Sequence, residues 1–169
     1  MLDAIAKRCS VRSYKPDPVS ESDLQAVLEA GLCAPSANNS RPWHLIVVTD
    51  ADLRKELASV HQWAFFCADS PVVIAVCAEE AASPHWWVED CSAATENILI
   101  QAAGLGLGTC WIGVRGDRET GMEREEKVRR TLNLPDSIRC LCLISLGHPT
   151  SETNPKAPGP MERVHRETW

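Results

Sequence analysis

Arg8, Ser10 and Arg12 alternate along the chain, so an extended backbone would project two guanidiniums and a hydroxyl to one side. Guanidinium forks match phosphate oxygens and planar acceptor edges, which makes anion recognition the chemistry on offer. The competing reading is a solvated basic surface. Cys9 lies inside this run, where two neighbouring arginines would lower the pKa of an accessible thiol. A second group, Ala34-Pro35-Ser36-Ala37-Asn38-Asn39-Ser40-Arg41-Pro42-Trp43, crowds small and amide side chains between two prolines; taken alone it is a helix stop, a polar turn and a strand start. The third, Gly104-Leu105-Gly106-Leu107-Gly108-Thr109-Cys110-Trp111-Ile112-Gly113, is glycine-spaced but fits no G-x-G-x-x-G register. A dinucleotide fingerprint opens a helix, whereas these glycines close one and lead into a strand. Their plain reading is helix termination followed by a core strand.

The elements that must position these groups alternate between helix and strand throughout, with no repeats. Ser20 and Asp23 have capping-box-like spacing, and Leu24, Val27, Leu28 and Leu32 continue a helix that Pro35 stops. Residues 44–49 read as a buried strand, and Asp50 caps a following helix through Leu53, Leu57 and Val60. Residues 71–77 form a second strand. Cys91, Ala94, Thr95, Ile98, Leu99, Ala102 and Leu105 hold the helical period between Glu89 and Leu107, as a central core helix does, with small residues permitting a close neighbour. A strand over 109–114, a charged helix over 118–132 and an apolar strand over 137–146 complete the pattern. Residues 147–169 are polar and proline-rich, and Val164 and Trp169 near the end suggest an extended arm laid on a partner.

The 169 residues, 44% of them hydrophobic, suit a single domain over 1–169. A net charge of -6 with scattered basic residues argues against nucleic acid as a partner. No apolar run suits a leader or a membrane span, so a cytoplasmic location is expected. The eight cysteines lack any C-x-x-C pair, and Cys67, Cys77, Cys110, Cys140 and Cys142 sit in apolar surroundings, so buried reduced thiols are expected rather than a disulfide scaffold or a metal site. Strand periodicity would put Cys140 and Cys142 on one face. His44, His61, His85, His148 and His165 are dispersed without metal-ligand spacing, and no G-x-S-x-G nucleophile element occurs.

The R-x-S-x-R run, the P-S-x-x-N-x-x-P-W segment and the G-L-G-T-C-W-I-G segment, in that order, resemble the nitroreductase family of FMN-dependent oxidoreductases. The resemblance covers nearly the whole chain. It implies an α+β sandwich with a mainly antiparallel central sheet flanked by helices, and an intertwined homodimer with exchanged C-terminal arms and two FMN sites at the interface. It places Arg8, Cys9 and Ser10 at the cofactor, with Arg8 and Ser10 on the phosphate, and Arg12 at the pyrimidine N1/O2 edge, where a cation stabilises the anionic reduced flavin. Pro35, Ser36, Ala37 and Asn39 would come from the other protomer. Trp111, Ile112, Gly113 and Val114 would line the isoalloxazine, with backbone amides at N5 and O4. Gln62 is a candidate for the pyrimidine edge, by position relative to the strand at Pro71.

Two departures stand out. Arg41 replaces the glutamine of the family's Q-P-W, and Pro155-Lys156-Ala157-Pro158 keeps the lysine of a P-K-x-R element that in the family reaches the FMN phosphate, which puts Lys156 among the cofactor-binding residues, but loses its arginine, a loss that Arg163 or Arg166 could offset. The implied chemistry is ping-pong: hydride from NADH or NADPH to FMN N5, then to a small-molecule acceptor such as a nitroaromatic or quinone. Specialised flavin chemistry (reductive dehalogenation or flavin fragmentation) and a non-catalytic flavin-binding protein are the alternatives. His61, Trp63, Phe65, Phe66, His85, Trp86 and Trp87 are either substrate walls or core and dimer contacts.

Overall fold

A computed structural model of the chain describes residues 1–115 and 120–169. Five helices, α1 (Asp3–Lys7), α2 (Glu21–Leu32), α3 (Ala51–Ala58), α4 (Trp87–Gly104) and α5 (Thr120–Leu132), are described together with four strands. The strands β1 (Trp43–Val48), β2 (Val72–Glu79), β3 (Gly108–Gly113) and β4 (Ile138–Gly147) form one antiparallel sheet in the order β1-β2-β4-β3. This is the expected α+β architecture. Of the charged helix expected from 118, residues 118–119 lie outside the described residues.

Local chemistry sets the element ends. The Ser20 hydroxyl accepts from Asp23 N at 3.1 Å, and Asp50 Oδ1 accepts from Asp52 N and Leu53 N, so both helices start at side-chain caps. At the end of α4, Gly106 adopts φ 76°, Gly106 N donates to Ala103 O, and Leu107 N donates to Ala102 O. This left-handed glycine closure turns the chain directly into β3.

The central strand β2 is buried along Val72–Ala78, because helices cover both faces of the sheet. Leu24 and Val27 of α2 and Cys91, Ala94, Ile98 and Ala102 of α4 pack on Val72, Ile74, Val76 and Ala78. Leu57 of α3, Phe66 and Val128 of α5 pack on Val73, Ala75 and Cys77. Each fully buried aliphatic side chain contributes roughly 1.5–3 kcal/mol, so the three layers together hold β3 rigidly along one margin of the sheet.

One sequence expectation fails here. Val76 pairs with Cys142 and Cys77 with Cys140, which leaves Leu141 as the extra residue of a β-bulge. The bulge reverses the alternation, so Cys142 faces the α2–α4 core and Cys140 the opposite one. The Leu141 carbonyl, turned out of the β2–β4 ladder, accepts from Val114 N at 3.2 Å and Arg115 N at 3.1 Å and so anchors the end of β3.

All eight cysteines are free thiols, six of them buried. Burial pushes the Cys67 and Cys91 thiols up to about 12 and raises Cys142 further. With a disulfide-exchange reagent, at most Cys9 and Cys33 are expected to react in the native protein, and all eight after unfolding in denaturant. Rapid native labelling of more than two thiols would contradict this packing.

Candidate functional site

The N-terminal segment meets the sheet at its β3 margin. Ser10 forms a parallel bridge with Thr109, and Val11 N donates to Thr109 O at 2.8 Å. Val11 fits because residue 108 is glycine: a Cβ there would lie 2.8 Å from the valine side chain. Since Thr109 directs its backbone groups away from β4, strand parity turns those of Trp111 and Gly113 the same way. The ladder stops after one rung. Val11 O accepts instead from the Tyr14 hydroxyl at 2.7 Å, and that hydroxyl also bonds Ser145 Oγ at 2.6 Å. Burial holds the Tyr14 phenol well above its usual pKa, so it remains a neutral donor.

Trp111 and Gly113 therefore present outward backbone N–H groups. A Cβ on Gly113 would approach nothing nearer than Arg115 O at 4.0 Å, so the margin there is open. Ile112 and Val114 are different: their side chains are buried, and their N–H groups point to β4, Val114's to Leu141 O.

The arginine triad does not share one side. Arg8 closes α1 and its guanidinium turns to Glu96 of α4, with Nε 3.5 Å from Oε1. Ser10 and Arg12 turn to the other face. Burial raises the pKa of the Cys110 thiol, and the Arg12 charge and a hydrogen bond with Ser10 oppose it. Arg12 Cζ also stands 6.0 Å from the centre of the Phe66 ring. The extended run begins at Cys9, half-buried beside them, one residue later than simple alternation supposes. A cavity of about 230 Å³ lies between Cys9–Ser13 and the start of the C-terminal arm at Pro149–Asn154.

Pro35, Ser36, Ala37 and Asn39 lie in a tight turn in which Asn38, Asn39 and Arg41 have φ of 52°, 54° and 48°. Ser36 Oγ accepts from Arg41 N at 2.9 Å, and Asn39 Oδ1 accepts from Arg41 Nε at 3.0 Å. Ser40 Oγ is buried and makes no hydrogen bond among the described residues. Gln62 is exposed in the loop after α3. Beside it, Trp63 N donates to His61 Nδ1 at 3.0 Å, and burial with the Arg124 charge lowers the His61 pKa, favouring the neutral imidazole this bond requires. Of the expected wall residues, Phe66 and Trp87 are buried core, whereas Trp63, Phe65 and Trp86 are exposed.

The arm first follows its own chain. Lys15 N donates to His148 O, Thr150 N to Ser13 O, and Lys156 N to Ala6 O at 3.0 Å. Beyond that, Met161, Val164 and Trp169 are exposed, Trp169 at 99% and stacked on His165 at 4.4 Å.

Two outward N–H groups, two arginines and the Ser10 hydroxyl suit a ligand with a phosphate and an acceptor-rich planar edge. Comparison with known proteins identifies the class. A model of the nitroreductase family matches residues 5–65 and 58–148. The chain belongs to the nitroreductase family.

Among its relatives, a Methanothermobacter thermautotrophicus protein provisionally named NADH dehydrogenase/NAD(P)H nitroreductase is 36% identical over 171 residues, covering 100% of this chain and 87% of the relative. A Bacillus subtilis FMN reductase (NAD(P)H) is 26% identical over 191 residues, covering 100% and 74%. The solved FMN-dependent nitroreductase of Clostridium difficile superposes with a TM-score of 0.92 at 32% identity, covering 100% of both chains. This nitroreductase-family chain keeps its turn intact at the Arg41 departure, because Arg41 itself bonds Ser36 and Asn39. Sequence reasoning missed three members of the site: Tyr14, which interrupts the ladder; Ser40, whose hydroxyl is unmet; and Asp90, which holds the turn. Tyr14 reaches Ser145, 131 residues on, as well as the nearby Val11, and Asp90 acts on Ala37, 53 residues earlier, so local patterning carries no signal for either long-range bond.

Proposed function

We propose that this chain is an FMN-dependent NAD(P)H oxidoreductase, a single nitroreductase domain over 1–169 that works as a homodimer with a small-molecule acceptor. The observation that carries the reading is the open margin of β3, where Trp111 and Gly113 offer unladdered N–H groups beside Arg12 and Ser10. FMN supplies two-electron hydride chemistry at its N5 when bound. Arg8 and Ser10 would hold its phosphate, and Arg8 would exchange its long contact with Glu96 for that stronger partner. Arg12 would place a cation against the N1/O2 edge, while Trp111 and Gly113 would donate to the N5/O4 edge. Gln62 and the half-buried Cys9 would border the same site. Pro35, Ser36, Ala37 and Asn39 of the partner subunit would shield it from water. Lys156, tied to its own chain at Ala6 O, would add a cation for the phosphate, and the exposed end of the arm would lie on the partner, burying Val164 and Trp169. No catalytic triad is required: NADH or NADPH and then a nitroaromatic, quinone or similar acceptor would use one slot in turn. Among the described residues, no helix is long and apolar enough to cross a membrane.

The purified protein is expected to be a yellow dimer whose visible absorbance bleaches on anaerobic titration with NADH or NADPH and returns on adding a quinone. A colour that persists through both titrations would reduce the reading to a flavin binder. A micromolar monomer that holds FMN tightly would overturn the shared site.

A further inference from the structure

We propose that Asp90 is the positioning residue that latches the Pro35–Asn39 turn for the cofactor, an inference that rests on the function proposed above. Asp90 stands in the first turn of α4 and is 4% exposed. Both carboxylate oxygens are committed. Oδ1 accepts from Ala37 N at 2.8 Å, and Oδ2 accepts from the Ser83 hydroxyl at 2.7 Å.

The turn needs such a hold. Asn38, Asn39 and Arg41 all occupy the left-handed region, which side-chain-bearing residues populate at a cost and keep only where their surroundings fix them. Its other hydrogen bonds are internal: Asn39 N to Ser36 O, Ser40 N to Ala37 O, Arg41 N to Ser36 Oγ, and Arg41 Nε to Asn39 Oδ1. Such bonds set the turn's shape; buried Ala34 and Trp43 and the bond from Glu79 N to Pro42 O hold its two ends, and its middle is left to be placed. Among the described residues, the bond from Ala37 N to Asp90 is the one hydrogen bond that ties residues 35–41 to another element.

The acceptor suits its place. A carboxylate near the N-terminus of α4 lies at the positive end of the helix dipole, and a charged acceptor bonds an N–H more strongly than a neutral one. The Ser83 bond fixes the carboxylate rotamer, so the 3-10 turn before α4, the helix itself and the cofactor-bordering turn act as one unit. The Ser40 hydroxyl, which makes no hydrogen bond among the described residues, is carried by that unit.

Three variants test the latch: Asp90→Ala, Asp90→Asn and Ser83→Ala. Asn keeps the oxygen facing Ala37 and presents an amide to the Ser83 oxygen, so it should preserve the placement. The readouts are FMN dissociation constants and amide exchange at Ala37 in the cofactor-free protein. Asp90→Ala is expected to weaken FMN binding by about tenfold or more and to speed Ala37 exchange, while Asp90→Asn stays within about threefold of the parent on both. Ser83→Ala is expected to weaken binding by about threefold, and it carries the test should Asp90→Ala fail to fold. Parental affinity and exchange in Asp90→Ala, or in Ser83→Ala where the former does not fold, overturns the latch; so does Asp90→Asn behaving as Asp90→Ala does. A parent that binds no FMN defeats the proposed function instead, and Ala37 exchange then still judges the latch alone.

Discussion

Arg12→Ala, measured at saturating FMN, is expected to lower the flavin midpoint potential and slow reduction by NAD(P)H, while Arg8→Ala chiefly loses the cofactor. The two arginines stand on different sides of the N-terminal segment, Arg8 against Glu96 and Arg12 beside Cys110 and Phe66. That separation predicts separable jobs. A charge-assisted hydrogen bond contributes roughly 1.5–3 kcal/mol, and 30 mV corresponds to about 1.4 kcal/mol for a two-electron couple, so the Arg12 variant should drop by on the order of 30–60 mV. Phosphate carries about -1.5 to -2 charge near neutral pH, so Arg8→Ala should recover much of its rate when FMN is added in excess. Spectroelectrochemical titration of both variants decides. A shifted potential in the Arg8 variant with the parental value in the Arg12 variant would reverse the assignments, and two unshifted, fully loaded variants would make the triad mere surface.

The second large effect is on stability. Glu125 of α5 is a carboxylate only 7% exposed, and Arg139 at the start of β4 grips it through Nε–Oε1 at 2.7 Å and Nη2–Oε2 at 3.0 Å. Cys140 N also donates to Glu125 Oε1, and Arg139 Nη1 reaches Glu80 at 2.9 Å. Arg139→Met leaves that buried carboxylate without its cation. The expected loss is about 3 kcal/mol, the low end for a broken buried pair because the Arg139 side chain is about a third exposed. It should appear as a lower denaturation midpoint at unchanged slope. Adding Glu125→Leu should restore a large part, because no buried charge then remains. Parental stability in Arg139→Met would show that water reaches Glu125.

What was legible in the sequence was whatever local chemistry decides. Ser20 and Asp50 announce helix starts, Gly106 announces a helix end, and the apolar run 71–77 announces a buried strand, found over Val72–Glu79. Three things were not legible. The bulge residue Leu141 is one apolar side chain among many, so its composition hides the reversal that parts Cys140 from Cys142. Arg8 has its alternation broken by its role in closing α1, a five-residue helix with no side-chain cap at its start. Asp90 looks like an ordinary acidic residue in a helix's first turn, because its partner Ala37 lies 53 residues earlier.

The margin of β3 bears on how this protein can diverge. Donors that belong to the backbone are inherited with the strand and not with the side chains, so substitutions at Trp111 leave that N–H in place unless proline enters. Under the function proposed above, the Trp111 side chain, 37% exposed, would then be released from holding the cofactor. On that reading lineages could remodel it to suit new acceptors while the backbone donors pass unchanged from ancestor to descendant, and Gly113, where a Cβ would meet nothing nearer than Arg115 O at 4.0 Å, keeps the margin open.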